Sequence, residues 1–416
     1  MPQFVVVVVL MKSGERMPLL CDAESGLGLF EPTAYALTMR SRGRAVNTIS
    51  QALRSVQLLY EILSASGVDL IERAKANELL TLGEVEVIAD QCRMRKADLD
   101  AIHSRSSTEQ PTQLADARIR RQAKKGTSLD SVESSTALVR LKYIAQYLSW
   151  FTEYAYLQKL PKDREVFNKV AQKAVSALSA RSPVARQRSS AARKRALDDA
   201  SRHALLELTT PDSTSNPWSQ SFLQQRNDFI IRLLLGTGMR KGEMLGLKVA
   251  DINLSESKVF IARRADDPED SRRIQPATKT YDRELRLGSD LMDLIKQYLP
   301  LRAKIPKAKK HPYLIVSQNG SPLSINSVDL IFATLRSHLP NLPQLSAHIL
   351  RHTWNSRFSE LVEGVLTPEQ EKKVRNYIMG WSDQSRSAEN YTVRYVEQQA
   401  HKALIDMQNQ LFEAAK

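Results

Sequence analysis

The chain has 416 residues and a mass of 46.9 kDa, which is enough for two or three domains that each bury their own core. Its 42% hydrophobic and 25% charged residues, with 15 glycines and 17 prolines, exclude disordered, collagen-like and disulfide-rich classes. A formal net charge of +14 favours a polyanionic partner, nucleic acid above all, because lysine and arginine neutralise phosphates and release counterions. The two cysteines, Cys21 and Cys92, form no CxxC pair, so the sequence predicts a reducing, cytoplasmic setting and no cysteine-rich zinc site.

Residues 1–30 are predicted to form an N-terminal strand-rich strap. Two short strands, at residues 4–10 and 17–21, are joined by Ser13 and Gly14, which favour a turn. The first strand contains five valines, is far shorter than the ~20 residues that cross a bilayer, and has no basic residue before it. No signal peptide or membrane anchor is therefore expected.

Residues 31–165 are predicted to form an all-helical domain. Apolar residues recur at helical spacing over residues 49–63 and again over residues 141–155. Thr81 and Glu84 match a capping box, which predicts the start of a further helix. A polar stretch rich in arginine and lysine separates these segments and predicts a loop or a short basic helix. Each apolar stripe is typical of a core face rather than of a cofactor site.

Residues 166–200 are predicted to form a basic interdomain linker. Their second half is rich in serine and arginine, contains Pro183 and has no acidic residue from 181 to 195. Its basic residues are candidate contacts to the DNA backbone: Arg181, Arg186, Arg188, Arg193, Lys194 and Arg195. A second basic stretch carries Arg302, Lys304, Lys307, Lys309 and Lys310.

Residues 201–416 are predicted to form a second domain of mixed structure. A helix over residues 222–235 should end at the glycine turn 236–238, because two glycines flanking one residue favour a turn. Strand-like segments at residues 259–261 and 283–287 predict a small antiparallel sheet, and most of the remainder shows helical spacing. The predicted fold class is mainly α with a small antiparallel β-sheet in the C-terminal domain.

Four fragments of this second domain, in this order, resemble the tyrosine recombinase, or phage integrase, family. They are Gly236-Thr237-Gly238-Met239-Arg240-Lys241-Gly242-Glu243, Thr278-Lys279-Thr280 followed by Arg283-Glu284-Leu285-Arg286-Leu287, His348-Ile349-Leu350-Arg351-His352-Thr353, and Met379-Gly380-Trp381 followed by Tyr391. The resemblance implies a helical core-binding domain before the linker and an α+β catalytic domain after it. It also implies an enzyme that breaks and rejoins DNA at specific sites, such as the integration or excision sites of a mobile element.

The chemistry of strand cleavage assigns roles to several of these residues. Without a metal, a phosphodiester needs fixed cations at its two non-bridging oxygens, where the transition state carries charge. Arg240 and Arg351 are the candidates, because arginine presents a planar and permanently charged fork. His348 lies three residues before Arg351, so a helix places both side chains on one face, and an imidazole can accept the proton of an attacking hydroxyl.

The resemblance supplies the other catalytic roles. Lys279, at the hairpin, is the general acid that protonates the leaving 5′ hydroxyl. Trp381 occupies a position where the family carries His or, less often, Trp, and its indole N–H can donate to the phosphate. Glu243 orients the catalytic arginine and histidine. Tyr391 is the nucleophile that forms a 3′-phosphotyrosine, whose ester energy is kept for religation, so no cofactor is expected.

Two departures from these patterns leave alternatives open. Tyr391 follows Trp381 by ten positions, one more than is usual in the family, and the segment from Glu360 to Arg375 is longer than its family counterpart. Tyr395 is the reserve nucleophile. A catalytically degenerate, recombinase-like accessory protein and a type IB topoisomerase-like swivelase therefore remain alternatives. His348 and His352 have the spacing of a zinc-binding helix, but the glutamate of HExxH is absent, so no metal site is expected.

The expected partners also follow from the resemblance. Double-stranded DNA with inverted half-sites is the substrate, DNA-bending accessory proteins are possible partners, and no membrane is involved. An apolar stripe at the C-terminus, formed by Ala400, Leu404, Met407 and Leu411, is expected to dock on a neighbouring protomer in a synaptic homotetramer. The expected location is cytoplasmic, on the nucleoid when the protein binds DNA.

Overall fold

The computed structural model describes residues 3–99, 102, 132–183, 196–276, 280–385, 400 and 403–410. The chain divides into two compact units, the first of Met1–Met11 and Arg16–Arg188, the second of Lys12–Glu15 and Ser189–Lys416. Among the described residues, no helix is both long and apolar enough to cross a membrane.

The first unit combines one β-hairpin with a set of helices. Its strands pair antiparallel, with Phe4 opposite Asp22 and Leu10 opposite Arg16, which confirms the two predicted strands. The capping box of Thr81 and Glu84 is also present and begins a helix as predicted. The elements are β1 (Phe4–Leu10), β2 (Arg16–Asp22), α1 (Phe30–Ser41), α2 (Val46–Ala65), α3 (Leu70–Lys75), α4 (Leu82–Gln91), α5 (Ser134–Leu157) and α6 (Pro161–Ala180).

The core of the first unit lies between α2, α5 and α6. The predicted stripes of α2 and α5 are buried, which confirms that they are core faces. They consist of Ile49, Leu53, Val56, Leu59 and Leu63 on α2, and Leu141, Ile144, Leu148, Phe151 and Ala155 on α5.

The predicted linker 166–200 begins too early. Residues up to Ala180 belong to α6, which starts with Pro161 in its first turn, a position that proline favours. The helix buries Phe167 and Leu178 in the core of the first unit. The exposed face of α6 carries polar residues such as Lys169, Lys173 and Ser176, so composition alone does not distinguish the end of this helix from a linker.

The second unit is mainly helical with one small sheet. Its three strands pair antiparallel in the order β3, β4, β5, with Ile261 opposite Arg283. The elements are α7 (Asp199–Thr209), α8 (Ser221–Thr237), α9 (Lys241–Gly246), β3 (Ile252–Asn253), β4 (Lys258–Ile261), β5 (Arg283–Arg286), α10 (Ser289–Ala303), α11 (Ile325–His338), α12 (Ala347–Val362) and α13 (Pro368–Met379). The predicted fold class is confirmed.

Two helices of the second unit end at glycines in the left-handed conformation. Gly238 caps α8 at φ +63° and Gly380 caps α13 at φ +64°. A Cβ at Gly238 would lie 2.8 Å from the Trp354 ring, so α12 packs directly on this turn. Gly238 therefore allows the end of α8 to approach α12 closely, and Gly380 allows the end of α13 to approach residues 280–283.

Candidate active site

Glu243 is the centre of a buried charged cluster in the second unit. It stands at the third position of α9, where its Oε2 accepts the backbone N–H of Arg240 at 2.9 Å. Its Oε1 also lies 3.3 Å from Nη1 of Arg240. The Glu243 side chain is fully buried, whereas that of Arg240 is 33% exposed and accessible to a ligand. Glu243 thus fixes both the backbone and the guanidinium of Arg240.

The segment at the start of β5, residues 280–283, which we call the hairpin arm, also contacts the carboxylate of Glu243. The Thr280 hydroxyl donates to Oε1 of Glu243 at 2.5 Å, and Nη2 of Arg283 donates to Oε2 at 2.8 Å. Desolvation by burial raises the pKa of Glu243. The charge and hydrogen bond of Arg283, the charge of Arg351 and the hydrogen bond of Thr280 together outweigh this effect, so the pKa is lowered. Glu243 therefore stays ionised and holds positive groups around it.

Arg351 lies on α12, buried between the ends of two other helices. Its Nη1 donates to the carbonyl of Gly238 at 2.7 Å, and its Nη2 donates to the carbonyl of Met379 at 3.3 Å. The guanidinium also stands 5.2 Å from the centre of the buried Trp381 ring. Arg351 and Trp381 are thus in contact.

His348 lies one turn before Arg351 on α12 and is exposed. Its Nε2 lies 3.0 Å from Nε2 of His352, and the two rings meet edge to face. One ring must donate and the other accept, so the pair shares one proton in this contact. The described residues include no group of three or more His, Cys, Asp or Glu that could hold a metal ion.

A second buried network joins α12 to α13 behind Arg351. Nη1 of Arg375 donates to the Asn355 carbonyl at 2.9 Å, and its Nη2 donates to the Ser359 hydroxyl at 2.5 Å and to Glu371. The Asn355 amide in turn donates to the Arg351 carbonyl at 2.9 Å. The network ties the helix of Arg351 to the helix that leads to Trp381.

Two buried arginines, Arg283 and Arg375, had no role assigned from the sequence, although Arg283 lies in one of the fragments that resemble the family. The one signal for Arg283 is its place in the alternating strand β5, where it occupies an inward position with Leu285. Arg375 stands on a helix with a strongly polar sequence and shows no comparable signal. Apart from the i,i+4 pair of Arg375 with Glu371, both arginines form their contacts with residues that are distant in the sequence.

The other predicted site residues divide into two groups. Lys279, Tyr391 and Tyr395, together with Arg186, Arg188, Arg193, Lys194 and Arg195, lie outside the described residues. Arg181 is described, but it pairs with Glu86 and donates to the Ala177 carbonyl at 2.6 Å, which gives it a structural role at the end of α6.

The second basic stretch also separates into structural and exposed residues. Arg302 is buried and donates to the carbonyls of Ala308, His311 and Tyr313. These bonds hold the short 3₁₀ helix Pro306–Lys310 in place. Four lysines, one before this helix and three on it, are exposed. They are Lys304, Lys307, Lys309 and Lys310.

Comparison with known proteins identifies the family of the second unit. Residues 208–398 match the family model described as the phage integrase family, and this range contains every catalytic candidate. The chain carries a phage integrase domain. The integrase domain is 30% identical over 155 residues to the tyrosine recombinase XerC of Bacillus pumilus, covering 36% of this chain and 44% of that protein. It is 27% identical over 147 residues to XerD of Halalkalibacterium halodurans, covering 35% and 44%.

The chain therefore spans less than half of the length of either relative. Among solved structures, it is similar to a lambda integrase (75–356) dimer bound to a COC′ core site, at 13% identity and a TM-score of 0.44. That match covers 85% of this chain and 95% of the other.

Proposed function

We propose that this protein is a site-specific DNA recombinase that cleaves and rejoins duplex DNA through a 3′-phosphotyrosine intermediate, and that it integrates and excises a mobile element. One observation carries the proposal: Glu243 joins the helix start of Arg240 to the hairpin arm that follows Lys279. Residues that are distant in sequence are thereby placed around one centre, within the range that matches the phage integrase family.

Arg240 and Arg351 would bind the two non-bridging oxygens of the scissile phosphate. Arg240 is partly exposed and is oriented by Glu243, so it can receive the phosphate directly. Arg351 is only 2% exposed, so DNA binding would have to uncover it. Once Arg351 is uncovered, the two guanidinium groups would stabilise the negative charge of the transition state.

The proton transfers are assigned to His348, Lys279 and Tyr391. The Tyr391 oxygen attacks phosphorus and forms the P–O bond of the phosphotyrosine, and its proton passes to His348. The bond to the 5′ oxygen breaks, and Lys279 supplies the proton that this oxygen needs in order to leave. Trp381 has no titratable proton, so its contribution is limited to binding and packing. Religation reverses the same steps, and one phosphodiester is exchanged for another without ATP.

The substrate of the proposed reaction is double-stranded DNA with inverted half-sites. The described lysines near the 3₁₀ helix, Lys304, Lys307, Lys309 and Lys310, are exposed and suited to phosphate contacts. The basic residues proposed for the linker, Arg186 to Arg195, would add contacts of the same kind. A protein with this function would act on the nucleoid, and DNA-bending proteins could assist it.

The recombination step would take place in a homotetramer. Leu404, Ile405 and Met407 on the C-terminal helix of residues 403–410 are all more than half exposed. A groove of about 420 Å³ between α7, α8, α10 and α12 is lined by apolar side chains, including Leu206, Leu294 and Phe358. We propose that this groove receives the C-terminal helix of a second copy.

The test of the proposed chemistry is a suicide substrate, a duplex from the ends of the mobile element with a nick beside the cleavage point. The wild-type protein should accumulate a covalent adduct, and Tyr391→Phe should bind the same DNA without forming one. Adduct formation by Tyr391→Phe, with loss in Tyr395→Phe, would reassign the nucleophile. Site-specific binding without any wild-type adduct would instead support the accessory protein.

The test of assembly uses truncation after Gln398 and the groove variant Leu361→Glu. Leu361 is 78% exposed at the groove, so its replacement should leave the fold unchanged. Both variants should bind one half-site normally, but should lose cooperative binding to paired half-sites and recombination between two sites. Normal recombination by both variants would refute the docking, and relaxation of supercoils by a monomer would favour the swivelase.

A further inference from the structure

Arg283 connects three parts of the candidate site through one buried guanidinium. Nη2 donates to Oε2 of Glu243 at 2.8 Å, and Nε donates to the Ile378 carbonyl at 2.6 Å, close to the end of α13. The side chains of Arg283 and Glu243 are 2% and 0% exposed. Arg283 therefore bridges the start of α9, the strand β5 and the turn before Trp381.

The residues just before Arg283 are attached to the same two elements. Thr280 donates its hydroxyl to Glu243 at 2.5 Å, and the backbone N–H of Tyr281 donates to the Gly380 carbonyl at 3.0 Å. A Cβ at Gly380 would lie 2.6 Å from Nη1 of Arg283, so a glycine is required where the arm meets α13. Residues 280 to 283 are thus attached to these two elements by four hydrogen bonds.

We propose that Arg283 is a positioning residue for the general acid Lys279, an inference that rests on the proposed function. Lys279 immediately precedes Thr280, and consecutive Cα atoms are about 3.8 Å apart. The bonds to Glu243 and Gly380 therefore anchor the chain from position 280 to position 283, directly after Lys279 in the sequence. Without Arg283, Thr280 alone would hold the arm to the carboxylate.

The two acceptors explain why the residue is an arginine. Its planar fork donates in two directions at once, to a carboxylate on α9 and to a carbonyl on α13. A lysine at this position carries one compact ammonium group and cannot reproduce the fork. Arg283→Lys should therefore keep the positive charge beside Glu243. It should nevertheless leave residues 280–283 without one of the two hydrogen bonds that Arg283 donates.

The test compares two leaving groups on the same nicked duplex. In one duplex the scissile 5′ oxygen is retained, and in the other it is replaced by sulfur. A thiol has a pKa of about 8.5, so a 5′ thiolate leaves without the proton that an alkoxide requires. Loss of a positioned general acid should slow cleavage of the oxygen substrate by about 10²-fold or more, and should have little effect on the sulfur substrate.

Arg283→Lys and Arg283→Met should both show this pattern, with half-site affinity unchanged by gel shift. Thr280→Val removes the neighbouring anchor with almost no change in shape, and should show the same pattern to a smaller extent; it also serves if the Arg283 variants do not fold. Arg351→Ala, the control, should slow both substrates alike.

Equal losses on the two substrates for Arg283→Lys and Thr280→Val, or unchanged cleavage of the oxygen substrate, would overturn the positioning role. Absence of wild-type adduct on both substrates would instead overturn the proposed function itself.

Discussion

Replacing Glu243 by Gln is expected to destabilise the protein and to stop strand cleavage. The variant keeps the shape of the side chain, but the buried guanidinium of Arg283 loses its counter-ion. Glu243 accepts from Arg240 and Arg283 at one oxygen and from Thr280 at the other. A Gln side chain has a single oxygen, so in either orientation its NH₂ group faces at least one of these donors.

The magnitude follows from the burial of this ion pair. Removing one partner of a buried pair costs about 3–5 kcal/mol, because the remaining charge is left in a region that water does not reach. The exposures of 2% and 0% leave no route for solvent to compensate. At about 2–4 °C per kcal/mol for a domain of this size, the melting temperature should fall by roughly 6–20 °C.

Urea unfolding and thermal unfolding of the full-length variants measure this loss. Glu256→Gln is the matched control, because Glu256 forms an exposed ion pair with Lys258 and its replacement should leave both measurements unchanged. A destabilisation by Glu243→Gln of less than about 1 kcal/mol would refute the conclusion that the cluster depends on this charge.

The same carboxylate predicts a pH dependence. Burial raises the pKa of Glu243, but Arg283, Arg351 and Thr280 outweigh it, so the folded pKa lies below that of the unfolded chain. The stability that Glu243 contributes is fully present above the unfolded pKa of about 4.3, and it is lost as the pH falls through the folded pKa. Acidification below about pH 4 should therefore destabilise the wild type more than Glu243→Gln.

Three further predictions test other contacts of the site. Gly380→Ala should reduce both stability and cleavage, because its Cβ would clash with Arg283, whereas Gly364→Ala, with a similar positive φ but open space, should retain full cleavage. Arg351→Ala should slow adduct formation by about 10²-fold or more, while Arg357→Ala, on the exposed side of the same helix, should leave it within a few-fold of the wild type. Excess EDTA and omission of ATP should leave cleavage of the nicked substrate unchanged, and a strict metal requirement would contradict the proposed chemistry.

The sequence predicted those parts of the fold and the site that depend on short separations. The helical stripes and the contact of Arg240 with Glu243 each involve residues three or four positions apart, so their spacing is visible in the chain. The bond from Arg283 to Glu243 spans 40 positions, and its bond to the Ile378 carbonyl spans 95. Such contacts arise from the packing of the hairpin on two helices, which no local pattern encodes.

Composition also proved a poor guide to the role of individual basic residues. Arg302 belongs to a lysine-rich stretch, yet it is buried and binds three carbonyls. Arg181 was expected on a DNA-facing linker, yet it closes the end of α6. In both cases the guanidinium is close to backbone carbonyls, and the charge count of the segment cannot distinguish this use from phosphate binding.

The position of Arg351 between two helix ends has an electrostatic consequence. Its guanidinium donates hydrogen bonds to carbonyls at the C-terminal ends of α8 and α13. At each of these ends the helix dipole carries a partial negative charge of about half an electron. Such partial charges stabilise a buried cation without adding a full opposite charge. These two contacts therefore do not cancel the formal positive charge of Arg351. That charge can still attract an incoming phosphate. Arg240 forms a direct ion pair with the carboxylate of Glu243, whose pKa the charge of Arg351 also lowers.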